Sequence, residues 1–350
     1  FLELTGESKI SSKATKTGDG GTVFIDAEKV LLTDGSEIET LTEYIMPLEQ
    51  EMESISAGRG GALFLNAKEL TISDGSGMEL GTSGAGNSGA AMISSDKVTL
   101  TGGSYINGDV KPSEVDDFDD YNDEWRLVTG NGPDIVLDSK EITLNGESKI
   151  DITSAGAGNA GSLSITTENL EIADFSSISS ITSKTGNAGS IDISADDILL
   201  NNYSEIATFT YFIPDKGKQA GNTAGSGGDL VLDAKTLKIT GNSGMELGTW
   251  GQGDSGSVTI RSDEVILEGS YINGDVYGDG AVDENFEENW QSVTGVGPFI
   301  SFETKNMSLG GVSSIDLTST GAGDAGMLSI ETDFLELTGE SKISSKATKT

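Results

Sequence analysis

Residues 1–17, FLELTGESKISSKATKT, reappear unchanged as residues 334–350. A chain that returns to its own beginning after 333 residues is expected to be one window of a tandem array, with both boundaries inside the same structural motif. Repetition at a fixed period marks a stacked, quasi-one-dimensional fold, in which each unit buries its apolar face only against its neighbours.

Nested within the long period is one of about 28 residues. With Leu163 at zero, aliphatic residues follow at offsets 2, 7, 9 and 15: Ile165, Leu170, Ile172 and Ile178. The same slots hold Ile135, Leu137, Ile142, Leu144 and Ile150, and again Ile191, Ile193, Ile198, Leu200 and Ile206. Ten starts fit: Val23, Leu63, Ala91, Ile135, Leu163, Ile191, Leu230, Val258, Ile300 and Leu328. The copy at Val258 is one residue short before its third segment. Aliphatic residues two apart, separated by turns rich in Gly, Asn and Asp, spell short strands with one buried face. No i, i+3, i+4 stripe persists, so a helical reading fails. Three short strands per rung over about ten rungs predict an all-β parallel β-helix, a β-solenoid. The pattern does not reveal the hand; the general chirality of parallel crossovers favours a right-handed coil.

Two residues before the third-strand aliphatic there is always serine: Ser8, Ser36, Ser76, Ser104, Ser148, Ser176, Ser204, Ser243, Ser270, Ser313 and Ser341. Period-2 logic turns this hydroxyl inward at a corner, where stacked copies are expected to bond along the axis and to turn backbone. A structural ladder is favoured over a row of nucleophiles.

Start-to-start spacings of 40, 28, 44, 28 and 28, then 39, 28, 42 and 28, write one five-rung block twice. The blocks cover about 22–189 and about 190–350 joined with 1–21, within one continuous solenoid over 1–350. The extra length always follows the third strand, so long loops at about 41–58, 109–132, 209–227 and 275–296 leave from one corner. Pro47, Pro112 and Pro214 fall in these loops, and Pro133 and Pro298 just before a first strand, where no ladder donor is lost.

The net charge of −36, from 57 acidic and 21 basic residues, constrains partners. Spread over about 50 Å of stacked rungs, it gives roughly 0.7 negative charges per Å, comparable with duplex DNA. Nucleic acid is excluded. A solvated anionic surface is the favoured reading, and a cation-bridged wall the sharper one. The stretch from Asp275 through Asp279, Gly280 and Asp283 resembles the start of an EF-hand calcium loop. It departs at Tyr277, and at Phe286 with Glu287 one residue later. Calcium on Asp275, Asp279, Asp283 and Glu287 is the one cofactor it suggests, against a plain acidic loop.

All three tryptophans, Trp125, Trp250 and Trp290, lie with Tyr121, Tyr211, Phe212, Tyr277 and Phe286 at the corner loops. These aromatics are expected to pack on the coil, contact a neighbouring rod or stack on sugar rings. With no His and no Cys, histidine triads, thiolate chemistry and histidine-bound zinc are unavailable. A carboxylate pair for glycoside cleavage is chemically open, but no pair stands out from the repeats.

Runs such as GNAGSLSITTENLEIADFSSISSITSKTGNAG, residues 158–189, resemble the repeats of filamentous haemagglutinin-type proteins, especially long cyanobacterial versions. That resemblance covers essentially the whole chain through fold-level motifs. It implies a β-helical fibre exported by a two-partner route to the bacterial exterior or surface, often serving adhesion or aggregation, and it carries no catalytic residues over. The regular corner loops and unchanging long period depart from an adhesin shaft and suggest a filament or sheath. No stretch approaches the ~20 apolar residues of a membrane span. Partners are therefore expected to be copies of itself, end to end and laterally. The alternatives are an adhesin that binds glycans and, far behind, a polysaccharide-cleaving β-helix.

Overall fold

The computed structural model describes residues 1–15, 17–43, 58–112, 126–211, 225–277, 291 and 293–348. Its regular structure is almost entirely parallel strand. Among the described residues there is no α-helix, and so none long and apolar enough to cross a membrane. One sheet stacks the first ten or so residues of every rung, from Leu2–Leu4 through Asp134–Asn145 to Met327–Leu337. A second, of eleven strands, stacks the short third strands from Lys9–Ser11 to Lys342–Ala347. The chain is a parallel β-helix.

Register follows the aliphatic pattern. Leu163 lies against Ile135 on one side and Ile191 on the other, and Ile178 against Ile150 and Ile206. Ala91 pairs Ile135 across a long insertion, and Ile191 pairs Leu230 across another, so the inserted residues leave the ladder undisturbed. All five slots of the Ile135, Leu163 and Ile191 rungs are buried in one continuous core.

The first two segments of a rung run as one strand in most copies, for example Asp134–Asn145 and Ser190–Asn201. They separate only at Ser162–Thr166 and Asn169–Ala173. Offsets 2 and 7 differ by an odd number, so a straight pleat would turn the second aliphatic outward. A bend at offsets 4–6 turns it back in. Where the bend carries a hydroxyl residue, that side chain bonds two positions on: Ser139 Oγ donates to the Glu141 carbonyl at 2.9 Å, and Thr167 Oγ1 to the Asn169 carbonyl at 3.1 Å. The one-residue slip of the Val258 rung falls in the next turn, which has one left-handed residue, Gly269, where most rungs have two.

Two features add to the three-strand scheme. A line of single parallel bridges, Thr42–Thr82–Val110–Ser154–Thr182–Thr210, closes the coil on its remaining side. A further inward position at offset 17 holds Leu80, Ile152, Leu247 and Leu317. Where that slot is glycine, proline fills it: a Cβ on Gly108 would meet the Pro133 ring at 2.8 Å, and one on Gly274 the Pro298 ring at 2.7 Å. Both prolines are buried, so they complete the core as well as sparing a ladder bond.

Candidate functional site

Three corner ladders position everything on the surface. At the first, the serines from Ser36 to Ser313 lie buried behind a turn in left-handed conformation. Two of the hydroxyls work twice: Ser36 Oγ accepts the Thr33 N–H and donates to the Leu4 carbonyl, and Ser313 Oγ accepts the Ser270 N–H and donates to the Gly310 carbonyl. Ser148 Oγ donates to the Asn145 carbonyl at 2.8 Å, while the Ser176 hydroxyl accepts the Ser148 N–H at 3.2 Å. Ser204 repeats the first bond with Asn201 at 2.8 Å, and Ser243 takes the Ser204 N–H at 2.9 Å. Ser36 and Ser76, Ser270 and Ser313, and Ser313 and Ser341 make the same N–H to hydroxyl bond. Ser8 and Ser104 bond their own turns, to the carbonyls of Thr5 and Thr101.

The Gly-Asn-Ala-Gly turns form a second ladder. Asn131, Asn159 and Asn187 each donate a backbone N–H to the Oδ1 of the asparagine one rung earlier, beginning at Asn87, at 2.9–3.1 Å. Glycine on either side is enforced by axial contact: a Cβ on Gly158 would stand 1.9 Å from the Gly130 carbonyl oxygen, and one on Gly161 1.6 Å from that of Pro133. Beneath this turn runs a third ladder of hydroxyls. Thr82, Ser154 and Thr249 donate to the carbonyls of Gly86, Gly158 and Gly253 at 2.7, 2.6 and 2.8 Å, and Thr182 does the same to Gly186.

The chemistry-bearing groups gather on the outer face of the third strands, where the two blocks write one arrangement twice. In the first, Asn107 Nδ2 donates to Glu79 Oε1 at 3.0 Å, the Thr153 N–H to Asp109 Oδ1 at 3.1 Å, and Thr153 Oγ1 to Asp151 Oδ1 at 2.5 Å. In the second, Asn273 serves Glu246 at 3.0 Å, the Thr318 N–H serves Asp275 at 2.7 Å, and Thr318 Oγ1 serves Asp316 at 2.5 Å. The blocks differ in compensation. Lys111 stands 3.2 Å from Asp109, and Tyr277 takes the corresponding place near Asp275. A depression of about 260 Å³ opens over the first cluster, with Lys13, Glu79, Asp109, Lys111 and Pro112 in its walls.

Burial dominates the electrostatics here. It pushes the Glu79 carboxyl up to about 7, with the neighbouring Asp109 charge adding to the rise. Burial and Asp109 likewise push Asp151 up to about 7, and burial raises Asp109 itself. In the second cluster, burial and Glu205 bring Glu246 up to about 7, and burial brings Asp275 up to about 6. Glu39, the ladder neighbour of Glu79, goes the other way. Burial would raise it, but Lys9 at 2.8 Å and Lys13 at 3.2 Å hold it down to about 2.

Of the calcium candidates, Asp275 is described, and its Oδ1 is engaged by Thr318; Asp279, Asp283 and Glu287 lie outside the described residues. Among the described residues no group of three or more His, Cys, Asp or Glu side chains is arranged to hold a metal ion. Of the aromatic candidates, Tyr121, Trp125, Phe212, Phe286 and Trp290 also lie outside them, and Tyr211 belongs to the two-residue strand Thr210–Tyr211. Trp250 and Tyr277 are brought together at 5.2 Å, and the Phe209 ring also lies 5.9 Å from the indole. Two further stacks are not singled out by the sequence pattern: Phe24 on Phe64 at 5.0 Å, and Phe175 on Tyr203 at 5.1 Å with ring planes 2° apart. Their one signal is an aromatic at the same offset in successive rungs.

The fold and these ladders define the class, a β-solenoid built by copying. No protein-family model, curated protein sequence or solved structure matches the chain. The parallel β-helix therefore rests on the chain's own strands.

Proposed function

We propose that this chain is the structural repeat of an extracellular or cell-surface fibre or sheath, a rod that stacks on copies of itself and touches neighbouring rods through its corner loops. The observation that carries this reading is the pairing made by residues 1–17. Leu2 lies against Val30, Ile10 against Ile38 and Ala14 against Thr42. The identical residues 334–350 pair on one side, through Leu335 with Met307 and Ile343 with Ile315. Their other side has the sequence that residues 18–43 already fit, and the spacing from Leu328 to the next such start is the ordinary 28 residues. A second unit thus continues the coil without a new kind of contact.

The resemblance to filamentous haemagglutinin-type repeats supports a bacterial exterior and two-partner export as the setting. An adhesin shaft that stacks sugar on Trp250 is less favoured, because the indole is already engaged by the Phe209 and Tyr277 rings. The denatured mass of the native polypeptide tests the proposal. A multiple of the 333-residue unit is expected. Glycan-array binding abolished by Trp125→Ala and Trp290→Ala, with no self-association, would overturn it in favour of the adhesin.

A further inference from the structure

The first carboxyl cluster contains one polar atom that its neighbours leave unanswered. Asn107 is 4% exposed, and its Oδ1 is buried without a donor. The side chain stands in the ladder between Glu79 and Asp151. Its Nδ2 is given to Glu79, so the amide oxygen is turned toward the rung of Asp151. Asp151 accepts from Thr153 Oγ1 at Oδ1 and also bonds the Ser179 hydroxyl; Oδ2 is the atom to which a proton is assigned.

Charge around this point does not balance. Glu79, Asp109 and Asp151 face Lys111 beside Asp109 and Lys149 on the strand of Asp151. One rung before Glu79, Glu37 and Glu39 are held by Lys9, and Lys13 adds to Glu39. The Tyr105 hydroxyl donates to Glu37 at 2.8 Å. On the far side Ser177 and Ser179 bring no charge, and Glu205 stands a rung beyond them. The central three carboxyls are thus one positive charge short, beside an acceptor that lacks a donor.

We propose that Asp151 is protonated in the folded coil up to neutral pH and donates this proton to Asn107 Oδ1, making the corner that carries Asp109 and Val110 a pH-sensitive fastening. One proton satisfies the buried oxygen and removes the excess charge together. Burial and the Asp109 charge, which push Asp151 up to about 7, act in the same sense. The sign follows from linkage. The folded chain keeps a proton that the unfolded chain surrenders near pH 4. The contribution is therefore fullest on the acid side and is lost as pH rises through about 7.

Carbon-detected NMR titration of the Asp151 carboxyl in the whole chain tests this directly, alongside amide exchange at Gly108–Val110 and Ile152–Ser154. The expected midpoint is near neutrality. Exchange at these amides is expected to quicken about tenfold more between pH 6 and pH 8 than base catalysis alone requires. Asp151→Asn places a permanent N–H donor beside Asn107 and is expected to abolish that excess. An Asp151 midpoint at the ordinary aspartate value of about 4, or an excess that survives in Asp151→Asn, would overturn the proposal. The titration is read on the unaltered chain, so the test stands even if the variant folds poorly.

Discussion

Gly161 carries the tightest steric demand in the coil, since a Cβ there would stand 1.6 Å from the Pro133 carbonyl oxygen. The obstacle is backbone held by its own ladder, so no side chain can swing away. Gly161→Ala is expected to cost about 3 kcal/mol or more, read as a lower urea midpoint at unchanged slope. Val312 is the opposite case. It is a β-branched residue at φ 72°, 66% exposed, at a turn position that Gly35, Gly75 and Gly103 fill in other rungs. Val312→Gly is expected to stabilise the chain by about 1 kcal/mol, because relief of left-handed strain outweighs the added freedom of the unfolded chain. A lower midpoint for that variant would contradict the turn geometry. At this scale the sequence is partly legible. Serine at one offset in every rung announces a hydroxyl ladder, because no other residue type has that size and both bonding roles. The asparagine ladder is disguised, since Asn159 and Asn187 sit in Gly-Asn-Ala-Gly runs that read equally well as ordinary turns. The proton on Asp151 is not legible at all. It depends on Glu79, Asn107 and Asp109 from two other rungs, separated from it by a long insertion of no fixed composition.

The bent strand is the element that gives the rung its section. Its inward face is stated by the aliphatic offsets, as is that of the short third strands, where Ile150 and Ile178 are both fully buried. Ile150→Asp or Ile178→Asp would bury a carboxylate with no partner, at a cost on the order of several kcal/mol. Local unravelling is expected, seen as new protease cuts near the substituted rung and a reduced β signal. Unchanged protease resistance would contradict the assigned face. The fusion of the first two segments is less legible, because a five-residue gap suits either a turn between strands or a bend within one. Ser139 and Thr167 make the same two-residue bond at this gap, in a fused strand in the first case and between two separate strands in the second. The inward position at offset 17 is hidden for a different reason. Leu80, Ile152, Leu247 and Leu317 share it with Gly108 and Gly274, and the missing volume returns as Pro133 and Pro298 from the following rung. A core slot filled from two places in the chain leaves no single-column signature.

Along the whole molecule, the 21 basic residues are distributed to interrupt runs of negative charge. On the outer edge of the bend, Lys68 meets Glu28 at 2.5 Å, Lys140 meets Asp96 at 2.6 Å, Lys235 meets Asp196 at 2.8 Å and Lys305 meets Asp263 at 2.6 Å. Each pair is exposed and contributes little alone, but each removes a like-charge contact between stacked rungs. The remaining net charge of −36 keeps such a surface solvated. Stability along the axis then comes from rung-on-rung pairing, which the proposed array would continue across the junction of two units. The central claim, that units join into a single continuous coil, is tested most directly by electron microscopy of chains carrying one and two consecutive 333-residue units. Ten further rungs at ~4.8 Å each should lengthen the particle by about 48 Å at constant width. Two rods meeting at variable angles, or a wider particle of unchanged length, would contradict the account.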